Sequence, residues 1–198
     1  MAIGHTATRS RWRQRESRAA IVGEQSSLRV RALDSGETAV VRSILAGMSG
    51  ASRSSRFGSP MPRISDSLCR NLLGAGTPDA VTLIAEAGRH DRIEPIGFAQ
   101  LIPTSTCAAE VSVAVADAHR RTGVAHALLS ETVREAQRRN WTRLEASVLA
   151  ANEPALSVVA SLTDAGSVDA LIWCRRHLLA VAGTPNIHLA LNVDGEEW

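Results

Sequence analysis

"AEVSVAVADAHRRTGVAHALL", residues 109–129, is the stretch whose reading decides the fold. From Glu110 to Ala116 valine and alanine alternate with polar or smaller residues, the period of a strand. From Val124 onward the rhythm turns helical, with Leu128 and Leu129 falling on the face of Val124. Between the two stand Arg120, Arg121, Thr122 and Gly123. A helix start carries unpaired backbone N–H groups and the positive end of the helix dipole. Phosphates bind at such ends with little further help. Gly123 can take a backbone conformation closed to other residues and lets a ligand come near, and Ala125 is small enough to permit the same approach. Arg120 and Arg121 add positive charge at the rim. The junction is therefore a candidate pyrophosphate site. Taken alone, the same four residues read rather as a surface turn with solvated arginines, since glycine commonly marks ordinary turns.

The elements around it can be read outward. "LRVRAL", residues 28–33, alternates as a strand with Leu28, Val30 and Ala32 on one face. Asp34 or Ser35 can cap a helix over about 37–48, where Val40, Val41, Ile44 and Leu45 form the apolar stripe. "SGASRSSRFGSPMPR" reads as a turn-rich connection, after which Ser65 opens a short helix through Leu72 and Leu73. "AVTLIAEAG" and "PIGFAQLI" predict two strands joined by a polar hairpin. After residues 109–116 come a helix over about 122–139, the strand "RLEASVLA", a helix over about 153–162, an ambiguous apolar stretch and a last strand, "NIHLALNV". This order predicts a mixed α/β domain with a central, mostly antiparallel sheet. The helix between "EVSVAVA" and "RLEASVLA" makes those two strands a parallel pair. The expected organisation is a basic tail over 1–27, one domain over 28–193 and a short tail over 194–198.

Composition bounds the function. The chain has 198 residues, 44% of them hydrophobic, enough for one domain with a sizeable core. No apolar run reaches the length of a membrane helix, and the basic start lacks the apolar stretch of a secretory signal. Cys69, Cys107 and Cys174 are too scattered for a metal site, and an odd, dispersed set fits reduced thiols in the cytoplasm. All basic residues are arginine and tyrosine is absent; with the abundant alanine this composition is associated with GC-rich bacterial genomes. Residues 1–23 hold five arginines against Glu16 alone. With Trp12 they could touch nucleic acid, but a solvated extension explains them with less, and no DNA-binding motif follows.

In "HRRTGVA" the pattern Gln/Arg-x-x-Gly-x-Gly/Ala is carried by Arg120, Gly123 and Ala125, directly after a valine-rich strand. This resembles the acetyl-CoA-binding motif of the GNAT superfamily of N-acetyltransferases, whose strand and helix order also matches over residues 28–162. Within it the segment "SRFGSPMPRISDSL", and the glutamate ten residues before Arg120, are similar to bacterial protein-lysine acetyltransferase domains of the Pat type. The resemblance implies acetyl-CoA as co-substrate and no metal. It implies that the backbones of Val113 and Val115 pair with the pantetheine arm. Backbone N–H groups of Arg121, Thr122, Gly123, Val124 and Ala125 would hold the pyrophosphate, and Asn152 would contact the cofactor.

Acyl transfer to an amine needs a neutral amine, so a base must take its proton. By family spacing that base is Glu110, made competent by partial burial or by a relaying water. Alternation puts Glu110 on one strand face with Ser112 and Ala114, opposite Val111, Val113 and Val115. Backbone N–H groups near Val113 would polarise the thioester carbonyl. Many GNAT enzymes use a tyrosine as general acid and this chain has none, but a thiolate leaves with little assistance. Ser157 or Ser161 could donate a proton, but a helical serine is more often simply a surface residue.

Other constellations are weaker. Ser49 in "GMSGA" misses the nucleophile-elbow pattern and reads as a turn. "GAGTPD" lacks the third glycine of a dinucleotide site. His119 and His126 read as surface or packing residues, and Trp141 and Trp173 as buried anchors. The expected function is an N-acetyltransferase acting on a protein lysine or small amine, with a homodimer left open. The alternatives are an inactive acyl-CoA-binding regulatory protein and an arginine-tailed nucleic-acid module.

Overall fold

The computed structural model describes residues 17–21, 26–34, 36–57, 60, 63–74, 76–89, 92–164, 169–171, 177–181 and 184–193. In chain order these form β1 (Ser17–Ile21), β2 (Ser26–Ala32), α1 (Thr38–Ala46), α2 (Gly50–Phe57), α3 (Asp66–Leu72), β3 (Val81–Arg89), β4 (Arg92–Pro103) and β5 (Ala108–Val115). A single 3-10 turn, Asp117–His119, leads into α4 (Val124–Arg138), β6 (Arg143–Leu149) and α5 (Glu153–Asp164). β7 (Asp169–Leu171), β8 (His177–Val181) and β9 (Thr184–Asn192) complete the described chain. The mixed α/β class expected from the sequence is the one adopted.

Among the described residues the strands form one sheet in the order β1-β2-β3-β4-β5-β6-β9-β7, with β8 also on β9. Neighbours are antiparallel except β5 and β6, which run parallel. β5 carries apolar side chains on both faces because both are covered. Val111 joins one core with Val124, Leu128, Leu129 and Val133 of α4. Ala114 joins the other, with Ile44 and Leu45 of α1 and Cys69 and Leu72 of α3. Phe98 and Leu101 of β4 lie on opposite faces in the same way, both fully buried.

Gly97 sets how closely α4 docks. A Cβ at this position would lie 2.9 Å from the Ala114 carbonyl oxygen, 3.2 Å from Val124 Cγ1 and 3.3 Å from Leu128 Cδ1. The absent side chain lets the first turn of α4 rest on the β4–β5 backbone, which fixes that helix end over the sheet.

Four sequence expectations change. The segment expected to be a turn-rich connection contains α2, which has no apolar stripe and is held by polar contacts instead. Ser49 caps it, accepting from Ser52 N at 3.1 Å, and Arg53 donates to the Leu45 and Met48 carbonyls. At the start of α1 the N-cap residue is Glu37, not Asp34, and its side chain makes no cap bond; Ser35 lies outside the described residues. Glu37 instead accepts from the Asp34 backbone at 2.9 Å and is gripped by both terminal nitrogens of Arg31, whose Nε reaches Glu86. Ala32 is exposed although Leu28 and Val30 are buried, because β2 is ending there. Finally, Ser17–Ile21, inside the expected tail, pairs antiparallel with β2. The ambiguous stretch after α5 holds β7 and β8; Cys174, Trp173 and residues 194–198 lie outside the described residues.

Candidate active site

Two openings meet at the end of β5. The first is along its edge. Ala116 N donates to Ile96 O at 2.9 Å, and Thr104 N donates to Ala108 O at 2.9 Å. Both bonds turn the peptide groups of the even-numbered residues of β5 toward β4. Backbone alternation then turns those of Val111, Val113 and Val115 toward the β6 side. β6 pairs with β5 only at Ala108↔Arg143, Ala109↔Leu144 and Glu110↔Glu145. Beyond Glu110 the parallel pair splays, and among the described residues no strand pairs with that edge of β5. Val113 and Val115, half-buried, are therefore strand residues with outward-facing peptide groups and no ladder partner there.

The second opening is the start of α4. Gly123 is its N-cap residue, in the left-handed region at φ 85°, and no side chain caps the helix. Arg121 also sits at positive φ, 59°. The first helical bond in this turn is Ala127 N to Gly123 O at 3.0 Å. Among the described residues no acceptor is present for the amides of Arg121, Thr122, Gly123, Val124, Ala125 or His126. Arg121, Thr122 and Gly123 are exposed, and nothing lies within 4 Å of where a Gly123 Cβ would be. Thr122 steadies the loop by donating from Oγ1 to His119 O at 2.6 Å. Uncapped amides, a helix dipole and open space around a glycine form an anion site in the physical sense.

Asp117, which sequence reasoning missed, ties this loop to the α1–α2 corner. Its backbone N donates to Gly47 O at 3.0 Å, and its carboxylate accepts from Ser49 N at 2.9 Å and Ser52 Oγ at 2.6 Å. Arg120 Nε lies 3.3 Å from the same carboxylate. Burial presses the Asp117 carboxyl upward, but the bonds from Ser52 and Ser49 and the Arg120 charge outweigh it and hold the group below its ordinary range. Arg120 is thus engaged by a neighbour as well as poised at the rim. Ser49, read as a turn residue, is a helix cap and loop anchor. The signal available in sequence was only an aspartate three residues before an arginine.

Glu110 lies where the strands begin to part, on the face of Ser112 and Ala114, and is exposed to solvent. Exposure leaves the water-relayed route for a proton. Beside it, Arg56 of α2 donates from Nη2 to Ser112 Oγ at 2.6 Å. The connection expected over this segment gave no hint of that residue. Asn152 caps α5: its Oδ1 accepts from Ala155 N at 3.4 Å and its carbonyl from Ala155 and Leu156. Its side-chain amide donors are not used in that cap. Ser157 and Ser161 are exposed, and Ser161 donates to Val158 O at 2.7 Å. His119 lies 3.9 Å from Glu94, His126 is exposed, and Trp141 is buried. No group of three potential metal ligands occurs among the described residues, and no helix among them is long and apolar enough to cross a membrane.

The site is thus a splayed parallel strand pair running into a glycine-started helix that no side chain caps. The family model for the acetyltransferase (GNAT) family matches residues 53–162, more than half of the chain, and the chain belongs to that family. The GNAT domain of S. lividans PAT is 27% identical, with a TM-score of 0.65 over 82% of this chain and 89% of that one. The yncA protein of Salmonella typhimurium, solved with its cofactor acetyl-CoA, shares the fold at 17% identity, with a TM-score of 0.61 over 86% of this chain and 96% of that one. So does spermidine N-acetyltransferase from Vibrio cholerae in complex with CoA and spermine, at 15% identity and a TM-score of 0.62 over 83% of this chain and 95% of that one. No curated protein sequence matches the chain.

Proposed function

We propose that this protein transfers an acetyl group from acetyl-CoA to a primary amine, on a small molecule or a protein lysine, with Glu110 as general base. The observation that carries the reading is the junction itself: unpaired amides at 121–126 continue the unpaired edge of β5. The pantetheine arm pairs with the Val113 and Val115 peptides as an added strand. The pyrophosphate rests on the amides of Arg121 to Ala125, with Arg120 and Arg121 at its rim, and the Asn152 amide reaches the donor from α5. This leaves the thioester near the point of splay, beside Glu110.

The chemistry then needs few groups. Glu110 takes a proton from the incoming ammonium through water, freeing the nitrogen lone pair. The amine attacks the thioester carbonyl, whose developing negative charge is met by backbone N–H near Val113. The C–N bond forms, the C–S bond breaks, and CoA leaves as a thiolate, whose parent thiol has a pKa of about 8.5. A tyrosine acid is unnecessary for that departure. Titration calorimetry with acetyl-CoA, followed by transfer assays on Glu110→Gln, tests the proposal. Saturable binding with turnover is expected, and the variant should keep cofactor affinity while losing at least about a hundredfold in kcat. No acetyl-CoA binding would overturn the reading. Binding without transfer to any amine or peptide would make the protein an acyl-CoA-binding protein instead.

A further inference from the structure

Arg56 is a partly buried cation whose charge is not met by a hydrogen-bonded carboxylate among the described residues. Its Nη2 donates to a neutral hydroxyl, Ser112 Oγ, and its Nε is buried with no hydrogen-bond acceptor among the described residues. The guanidinium carbon stands 4.9 Å from the Phe57 ring centroid, an apolar wall on one side. Glu110, two residues from Ser112 on the same strand face, is close enough to act on Arg56 electrostatically but shares no hydrogen bond with it. Burial pushes the guanidinium pKa down to about 10 against the opposing pull of Glu110. A buried donor left unmatched costs free energy, so an acceptor brought by a bound molecule would relieve that cost.

The location says which reactant supplies it. Arg56 meets β5 at Ser112, on the α1–α3 face, whereas the anion site lies past the end of β5, at 121–126. Under the proposed function, on which this inference rests, the donor's phosphates occupy the latter and the amine approaches Glu110. An ammonium nearing Glu110 also nears the Arg56 charge and is repelled unless it brings a negative group of its own. The planar guanidinium fork suits a carboxylate, which accepts two parallel bonds. We propose that Arg56 binds a carboxylate on the acceptor, so that this enzyme acts on amines carrying a nearby carboxylate, such as amino acids or lysines flanked by acidic residues, and disfavours polycationic amines.

The test uses matched pairs. One pair is β-alanine and its amide; another is a lysine peptide flanked by glutamate and the same peptide with glutamine; spermine is the cationic extreme. Calorimetry on the CoA-loaded protein measures acceptor affinity without turnover, and steady-state assays give kcat and KM. The carboxylate member of at least one pair should bind about tenfold or more tightly than its amide, with the difference in KM, and spermine should be the poorest acceptor. The small-molecule and peptide arms separate the two sources of the carboxylate. Arg56→Met should shrink the preference to less than about threefold, and Arg56→Lys, which keeps charge without the fork, should fall between. Equal affinity for carboxylate and amide in every pair would overturn the inference while leaving the acetyltransferase intact. Equal losses of kcat on both members in Arg56→Met, with the preference retained, would also overturn it and make Arg56 a support for β5. Failure to load CoA is a different result and strikes the proposed function instead.

Discussion

Replacing Gly123 by alanine separates the conformational role of the junction from any steric one. Nothing lies within 4 Å of a Cβ at this position, so the substitution meets no neighbour. Its cost is backbone conformation alone: φ is 85°, where an L-residue pays about 1–2 kcal/mol. That cost can appear in two places. If α4 keeps its start as it is, the whole domain carries the strain and Tm falls by about 2–8 °C, with acetyl-CoA affinity unchanged. If the loop relaxes toward negative φ, the amides of Arg121 to Ala125 turn away from a common point. Affinity then falls by about 5–30-fold while Tm moves little. Calorimetry with acetyl-CoA and thermal unfolding on the same samples therefore give a pair of numbers that trade against each other. Gly123→Asn, which tolerates the left-handed region, should recover most of whichever loss is seen. Loss of affinity equal for alanine and asparagine would refute the conformational account, since it would mean that a side chain of any kind blocks the site.

Two further outcomes follow from the contacts. Gly97→Ala forces a Cβ to within 2.9 Å of the Ala114 carbonyl and against Val124 and Leu128, so it should lower stability by about 1–3 kcal/mol in denaturant titrations. For Asp117, the folded carboxyl is held below its ordinary value near 3.8, so its contribution to stability is present above that pH and is lost as the pH falls through the folded value. Asp117→Asn should flatten the acid limb of a stability-against-pH curve, and an unchanged limb would mean that the Ser49, Ser52 and Arg120 contacts contribute nothing net.

Much of the fold was legible because the elements around the junction are local. The alternation of residues 110–116, the apolar spacing of α4 and the later strand and helix each sit within a window that a pattern can resolve. Few residues separate β3 from β4 and β4 from β5 along the chain, so their antiparallel pairing followed from chain order. The helix α2 was invisible for the opposite reason. Its serines and arginines make no stripe, and what holds it are bonds to residues far along the chain: Ser52 to Asp117 and Arg56 to Ser112. The start of α1 followed the same rule, since Glu37 at its N-cap is gripped by Arg31 of β2, itself tied to Glu86 of β3.

The sequence by itself determined that a strand runs into a glycine-started helix, that Glu110 shares a face with Ser112 and Ala114, and that β5 and β6 are parallel. These depend on backbone period and on one residue's conformational freedom, which are properties of neighbours in the chain. Only tertiary structure decided that β6 leaves β5 after Glu110, that the amides at 121–126 lack partners, and that Arg56 stands beside the candidate base. Pairing length, solvent exclusion and the charge around a group depend on which distant segments meet. No local pattern encodes that.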